Sequence, residues 1–143
     1  CDFRVMSMEN AKIGLPEVQL GLVPGGGGTQ RLTRIIGETK AKELIYFARH
    51  LSAKDAYELG IVSLIVPSER GLDEVYKFAG ELADKAPLAI SSIKRCIQSA
   101  GQESLSIGLE KELFETANLF NSQDASIGFT SFLEKQKPQF IGK

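Results

Sequence analysis

Residues 25–28 are four consecutive glycines, set directly after Pro24 and directly before Thr29, Gln30, Arg31 and Leu32. No other stretch constrains the fold so tightly. Glycine loses more conformational freedom on ordering than any other residue, so four in a row are costly unless the backbone needs positive φ or its N–H groups must approach something closely. The plainer alternative is a flexible turn between two helices, the commoner fate of a glycine run. A phosphate-binding loop is disfavoured, because no Lys-Ser or Lys-Thr follows and no long strand pattern precedes. Upstream stands Glu17, after Pro16. Proline fixes its own φ and lacks a donor, which places the acid at the start of a short helical turn. Val18, Leu20, Leu22 and Val23 are apolar and imply a buried wall beside it. A carboxyl held against such a wall has its charged form disfavoured by desolvation, which suits it to exchange protons near neutrality.

The chain has 143 residues, is 43% hydrophobic and carries a formal net charge of −1, which bounds it to one soluble globular unit able to bury a core. Without a block of Lys or Arg, nucleic acid is not its main partner. No apolar stretch approaches about 18 residues, so no transmembrane helix is expected. Cys1 and Cys96 have no metal-ligand spacing and read as unpaired thiols in a reducing compartment. His50, the only histidine, follows Arg49 in a polar patch and reads as a surface residue.

Alternating Phe3 and Val5 with Asp2 and Arg4 read as a strand already under way, with no signal-peptide pattern before it. Only 12–14 and 61–66 offer further strands. Three short strands so far apart make a poor sheet. The first therefore lacks neighbours, and a truncated chain is the simplest explanation. Helices are expected at 29–36, ended by Gly37, at 39–48, at 53–59 behind a Ser52 cap and at 71–85. Others follow at 88–100 behind Pro87, at 104–120 and at 124–135. The turn at 101–103 is not a domain boundary. Apolar Leu105, Leu109, Leu113, Leu119, Phe114, Phe120, Phe129 and Phe132 are mostly assigned to core, some of them to a subunit interface.

Leu-Pro-Glu at 15–17, Leu-Gly-Leu-Val-Pro-Gly-Gly-Gly-Gly-Thr-Gln-Arg-Leu at 20–32, Leu-Ser-Ala-Lys-Asp-Ala-Tyr-Glu-Leu-Gly-Ile-Val at 51–62 and Phe-Leu-Glu-Lys-Gln-Lys-Pro-Gln-Phe-Ile-Gly-Lys at 132–143 occur in that order. Together they resemble the crotonase superfamily, specifically its enoyl-CoA hydratases and isomerases. The resemblance runs along the whole chain and matches the second half of a subunit. It implies an α/β fold: residues 1–66 form the C-terminal part of a ββα spiral core with the Glu17 and glycine-loop site. Residues 67–143 form a helical region for the acyl pocket and trimerisation, so the chain is mostly helical with few short strands.

The resemblance also implies chemistry. An enoyl-CoA thioester is hydrated through an enolate, Glu17 exchanges the proton at the α carbon, and the Gly25 backbone helps hold water or substrate. The two N–H groups of the oxyanion hole and a second glutamate belong to the half upstream of Cys1. Read from the residues alone, Lys135, Lys137 and Lys143 form a solvated basic end, whereas the resemblance makes Lys135 correspond to a lysine that approaches a CoA phosphate, often that of a neighbouring subunit. The aromatic residue over the adenine has no firm counterpart: an ungapped match gives Thr116, with Phe114 close by. Ile127 stands where relatives carry an acid. No metal or redox cofactor is implied, since CoA enters as part of the substrate. The expected partners are acyl-CoA and copies of the chain in a homotrimer or dimer of trimers. Bacterial cytoplasm and mitochondrial matrix both fit. The alternatives are a double-bond isomerase using Glu17 alone and a catalytically incomplete assembly module.

Overall fold

In the computed structural model, which describes all 143 residues, four strands and seven α-helices follow one another along the chain. They are β1 (Val5–Ser7), β2 (Lys12–Gly14), α1 (Gly28–Ile36), α2 (Glu38–Tyr46), β3 (His50–Ser52), α3 (Ala53–Glu58), β4 (Leu64–Val66), α4 (Gly71–Ala83), α5 (Pro87–Ala100), α6 (Leu105–Phe120) and α7 (Gln123–Glu134). Short 3₁₀ turns occupy Glu17–Leu20 and Ser68–Arg70. The chain divides into two compact units, Cys1–Tyr76 and Lys77–Lys143. No helix is long and apolar enough to cross a membrane. Both cysteines are free.

Helix boundaries in the first unit follow local chemistry. Gly37, at φ 80°, ends α1 by donating its N–H to Thr33 O at 2.9 Å, and its own carbonyl receives the first bond of α2 from Ala41 N–H. Ser52 and Asp55 form a capping box on α3: Asp55 N–H donates to Ser52 Oγ at 3.2 Å and Ser52 N–H to Asp55 Oδ2 at 3.3 Å. Behind these helices Leu44, Ala56, Ile61 and Val62 form the buried cluster, with Met6, Leu32, Ile36, Leu51, Leu59 and Ile65 packed on it.

The strands depart most from expectation. β1 does have a neighbour: it lies parallel to β4, Val5 opposite Leu64 and Ser7 opposite Val66. Parallel partners need a long crossover, here the whole of α1 to α3, which hides the pairing from local pattern. β2 lies antiparallel to β3, Lys12 opposite Ser52 and Gly14 opposite His50, a strand concealed in a polar stretch. A Cβ at Gly14 would stand 2.8 Å from Arg49 O, so β3 needs a glycine here. His50 is exposed, as read. The strand expected at 61–66 shrinks to Leu64–Val66, because Ile61 and Val62 turn into the core after Gly60.

In the second unit α5 and α6 pack as a helical hairpin around the turn at 101–103, and α6 also packs on α7. Here the core expectation fails. Leu105, Leu109, Leu113, Phe114, Phe120, Phe129 and Phe132 are all exposed, while Leu119 is half-buried. So few helices enclose too little volume to cover this many large side chains.

Candidate active site

Glu17 opens the 3₁₀ turn Glu17–Leu20, directly after Pro16, as its sequence context predicts. The turn is closed by its own backbone: Gln19 N–H donates to Pro16 O at 3.0 Å and Leu22 N–H to Glu17 O at 3.1 Å. Gly21, at φ 70°, supplies the left-handed exit. The Glu17 side chain is half-buried, and its Oε2 is buried without a hydrogen-bond partner. Leaving such an oxygen unpaired costs about 1–3 kcal/mol, so it requires an explanation.

The apolar wall is not where the sequence placed it. Val18, Leu20, Leu22 and Val23 are 42%, 77%, 62% and 67% exposed and do not enclose the acid. The turn packs instead against α2. Close by in sequence, Ile13 and Leu15 join Leu32, Leu44, Leu51 and Ile61 around an apolar cavity of about 130 Å³. That is too small for a cofactor or drug-sized ligand, whose pockets run to about 300 Å³ and above.

The four glycines are not equivalent. Gly27, at φ 91°, precedes α1 in a conformation that L side chains rarely adopt. A Cβ at Gly28 would meet the Leu15 and Pro24 side chains at 2.9 Å. Leu15, Pro24 and Gly28 therefore interlock, which ties the segment before Glu17 to the glycine loop. Arg31, one turn into α1, reaches back so that its Nη1 donates to Gly26 O at 2.8 Å. The sequence reading missed this brace, although a long cationic side chain just past a glycine run is a fair signal for one. Gly25 is exposed and meets no tight neighbour, and Gly26 has nothing within 4 Å of a Cβ position.

Lys135 belongs to the second unit, at the residue following α7. It is exposed, whereas Lys137 pairs with Asp84 at 2.6 Å. The larger cavity, about 490 Å³, also lies in this unit and is lined by Leu119, Phe120, Phe129, Phe132 and Phe140 among others. It does not include Glu17.

The glycine loop, the turn-borne acid and the C-terminal lysine lie in a chain whose residues 1–143 all match the sequence model of the enoyl-CoA hydratase/isomerase family. The chain belongs to that family. It is 41% identical over 143 residues to a crotonyl-CoA hydratase of Syntrophomonas wolfei, covering 100% of this chain and 55% of the relative. With an enoyl-CoA isomerase/hydratase of Mycosarcoma maydis it shares 40% identity, covering 100% and 52%. Among solved structures, an enoyl-CoA hydratase subunit of Geobacillus kaustophilus superposes with a TM-score of 0.95 at 44% identity, over 100% of this chain and 55% of that one. The chain thus spans about half the length of these relatives. It is a mostly helical α/β part of the crotonase fold, with few short strands.

Proposed function

We propose that this chain carries the proton-exchanging acid of an enoyl-CoA hydratase, which adds water reversibly across the 2,3 double bond of an enoyl-CoA thioester. The observation that carries this reading is Glu17 Oε2, buried and unpaired on a turn that directly follows the segment interlocked with the glycine loop. Because the backbone holds the turn, that oxygen keeps its lone pairs for a substrate proton. Attack of water at the β carbon moves charge onto the thioester oxygen as an enolate, which preorganised N–H donors stabilise. The resemblance assigns those donors, and the glutamate that activates water, to the half of the relatives that this chain does not span. Glu17 then gives the α carbon its proton, and takes it back in the reverse direction. Gly25, exposed and bare, leaves its N–H accessible to water or substrate.

In this reading residues 1–66 complete the spiral core, and residues 67–143 supply the acyl pocket and the trimer contacts. The exposed apolar side chains of α6 and α7 support assembly into a homotrimer or dimer of trimers. Lys135 meets a CoA phosphate. A second reading is double-bond isomerisation by Glu17 alone, favoured by the relative that bears both activities in its name.

The deciding experiment is Glu17→Gln in the protein that carries this chain, following loss of enoyl-thioester absorbance with crotonyl-CoA. Turnover should fall by about 10²–10⁴-fold with binding of the CoA ester retained. An unchanged rate would refute the role of Glu17. Activity of residues 1–143 on their own should be no more than a trace, since losing oxyanion donors alone costs about 3 kcal/mol.

A further inference from the structure

Asp124 is only 3% exposed, yet α7 does not need it as a cap. Ser122 already serves there, its Oγ accepting from Ala125 N–H at 3.0 Å. The Asp124 carboxylate holds the tail instead. Its Oδ1 accepts from Ile141 N–H at 2.7 Å, its Oδ2 from Gly142 N–H at 3.0 Å, and its own N–H donates to Lys143 O at 3.0 Å. A buried carboxylate satisfied by two backbone donors makes a strong, directional tie.

The other end of the same helix carries a cost. Lys135 sits at φ 56°, ψ 38°, the left-handed conformation normally given to glycine after a helix. For another L residue that conformation costs about 1–2 kcal/mol. Two bonds close the turn: Lys135 N–H donates to Phe132 O at 3.3 Å and Gln136 N–H to Ser131 O at 2.9 Å. The chain then returns toward the start of α7, passing Phe140 against Gly128 and Gly142 against Pro87 before it reaches Asp124. Residues 136–143 are thus fixed at both ends, and a strained residue persists only where its surroundings over-determine it.

We infer that Asp124 is a positioning residue for Lys135: by latching the returning tail it holds the left-handed turn that aims the lysine at a CoA phosphate. The inference rests on the assignment of Lys135 made above. A glycine would make the same turn at less cost, so the lysine is there for its ammonium group, which is exposed to solvent.

The test compares binding of butyryl-CoA with butyryl-pantetheine, which shares the thioester arm but has no nucleotide phosphates. Calorimetry on the protein carrying this chain gives both dissociation constants. The unchanged protein should prefer the CoA ester, and Lys135→Ala should erode that preference. Asp124→Asn keeps the size of the side chain but loses one acceptor. It should cut the preference for butyryl-CoA over butyryl-pantetheine about fivefold. Ile141→Pro removes one of the two latch hydrogen bonds from the donor side and should act alike, which covers the case in which Asp124→Asn fails to fold. A merely structural role would weaken both esters equally, and that result overturns the inference. If Lys135→Ala erodes the preference and neither latch variant does, the positioning role falls and Lys135 keeps its assignment. A protein that shows no preference, or a Lys135→Ala variant that retains it, overturns both while leaving the chemistry of Glu17 untouched.

Discussion

Arg95 on α5 grips Glu115 on α6 through two parallel hydrogen bonds, Nε to Oε1 at 2.7 Å and Nη2 to Oε2 at 2.6 Å. Ser92 Oγ, buried beside them, donates to Glu115 Oε2 at 2.7 Å. The fork-to-fork geometry fixes how the two helices face one another. The guanidinium and the hydroxyl together lower the Glu115 carboxyl from 4.5 to about 2.

Acid sensitivity follows from this clamp. A carboxylate with a depressed folded-state value contributes stability above its unfolded value, and that contribution is lost as pH falls through the folded one. For Glu115 the window runs from about 4.5 down to about 2. Acid titration of the denaturant midpoint, followed by circular dichroism, should show stability falling across it, and Glu115→Gln should be the less pH-dependent protein there. Equal slopes for the two proteins would mean that other carboxylates dominate.

A second prediction concerns stability at the end of α7. Lys135→Gly places the residue type that tolerates φ 56° at that position. Relief of about 1–2 kcal/mol in the folded state is partly offset by the greater freedom of glycine in the unfolded chain. The net gain should be about 0.5–1 kcal/mol, read as a higher denaturant midpoint at constant slope. CoA-ester binding should weaken in the same variant. Stability and ligand recognition would then oppose each other at one residue, as expected where strain serves function.

How far such features were legible depended on the range of the interactions. The capping box of Ser52 and Asp55 lies within four residues, so the start of α3 could be read directly. Pro87 and Gly37 marked helix ends in the same way. The pairing of Val5 with Leu64 spans three intervening helices and left no local trace. The site divides likewise. Glu17 and the glycine loop are contiguous motifs, whereas the Leu15–Gly28 interlock and the Asp124 latch join residues that only folding brings together. The exposed wall of Val18, Leu20, Leu22 and Val23 shows the limit of hydrophobicity as a guide, because an apolar residue need not face this chain's own interior.

The glycine loop provides the third prediction, since its members can be separated by what a methyl group would meet. At Gly28 the added Cβ stands 2.9 Å from Pro24 Cβ and Leu15 Cδ1, and a proline ring cannot swing aside. Gly28→Ala should therefore destabilise the fold by about 1–3 kcal/mol, less up to about 1 kcal/mol regained from the higher helix propensity of alanine. At Gly25 the nearest atom is Val23 O, at an ordinary 3.8 Å. Gly25→Ala should leave thermal stability within about 0.5 kcal/mol of the parent. Its cost should appear only in turnover, where a methyl beside the N–H obstructs water or substrate. Loss of crotonyl-CoA hydration without loss of stability in Gly25→Ala would assign that glycine to the reaction. Full activity would leave Gly27 and Gly28 as the glycines the fold itself requires, one for its φ and the other for the Leu15–Pro24 contact.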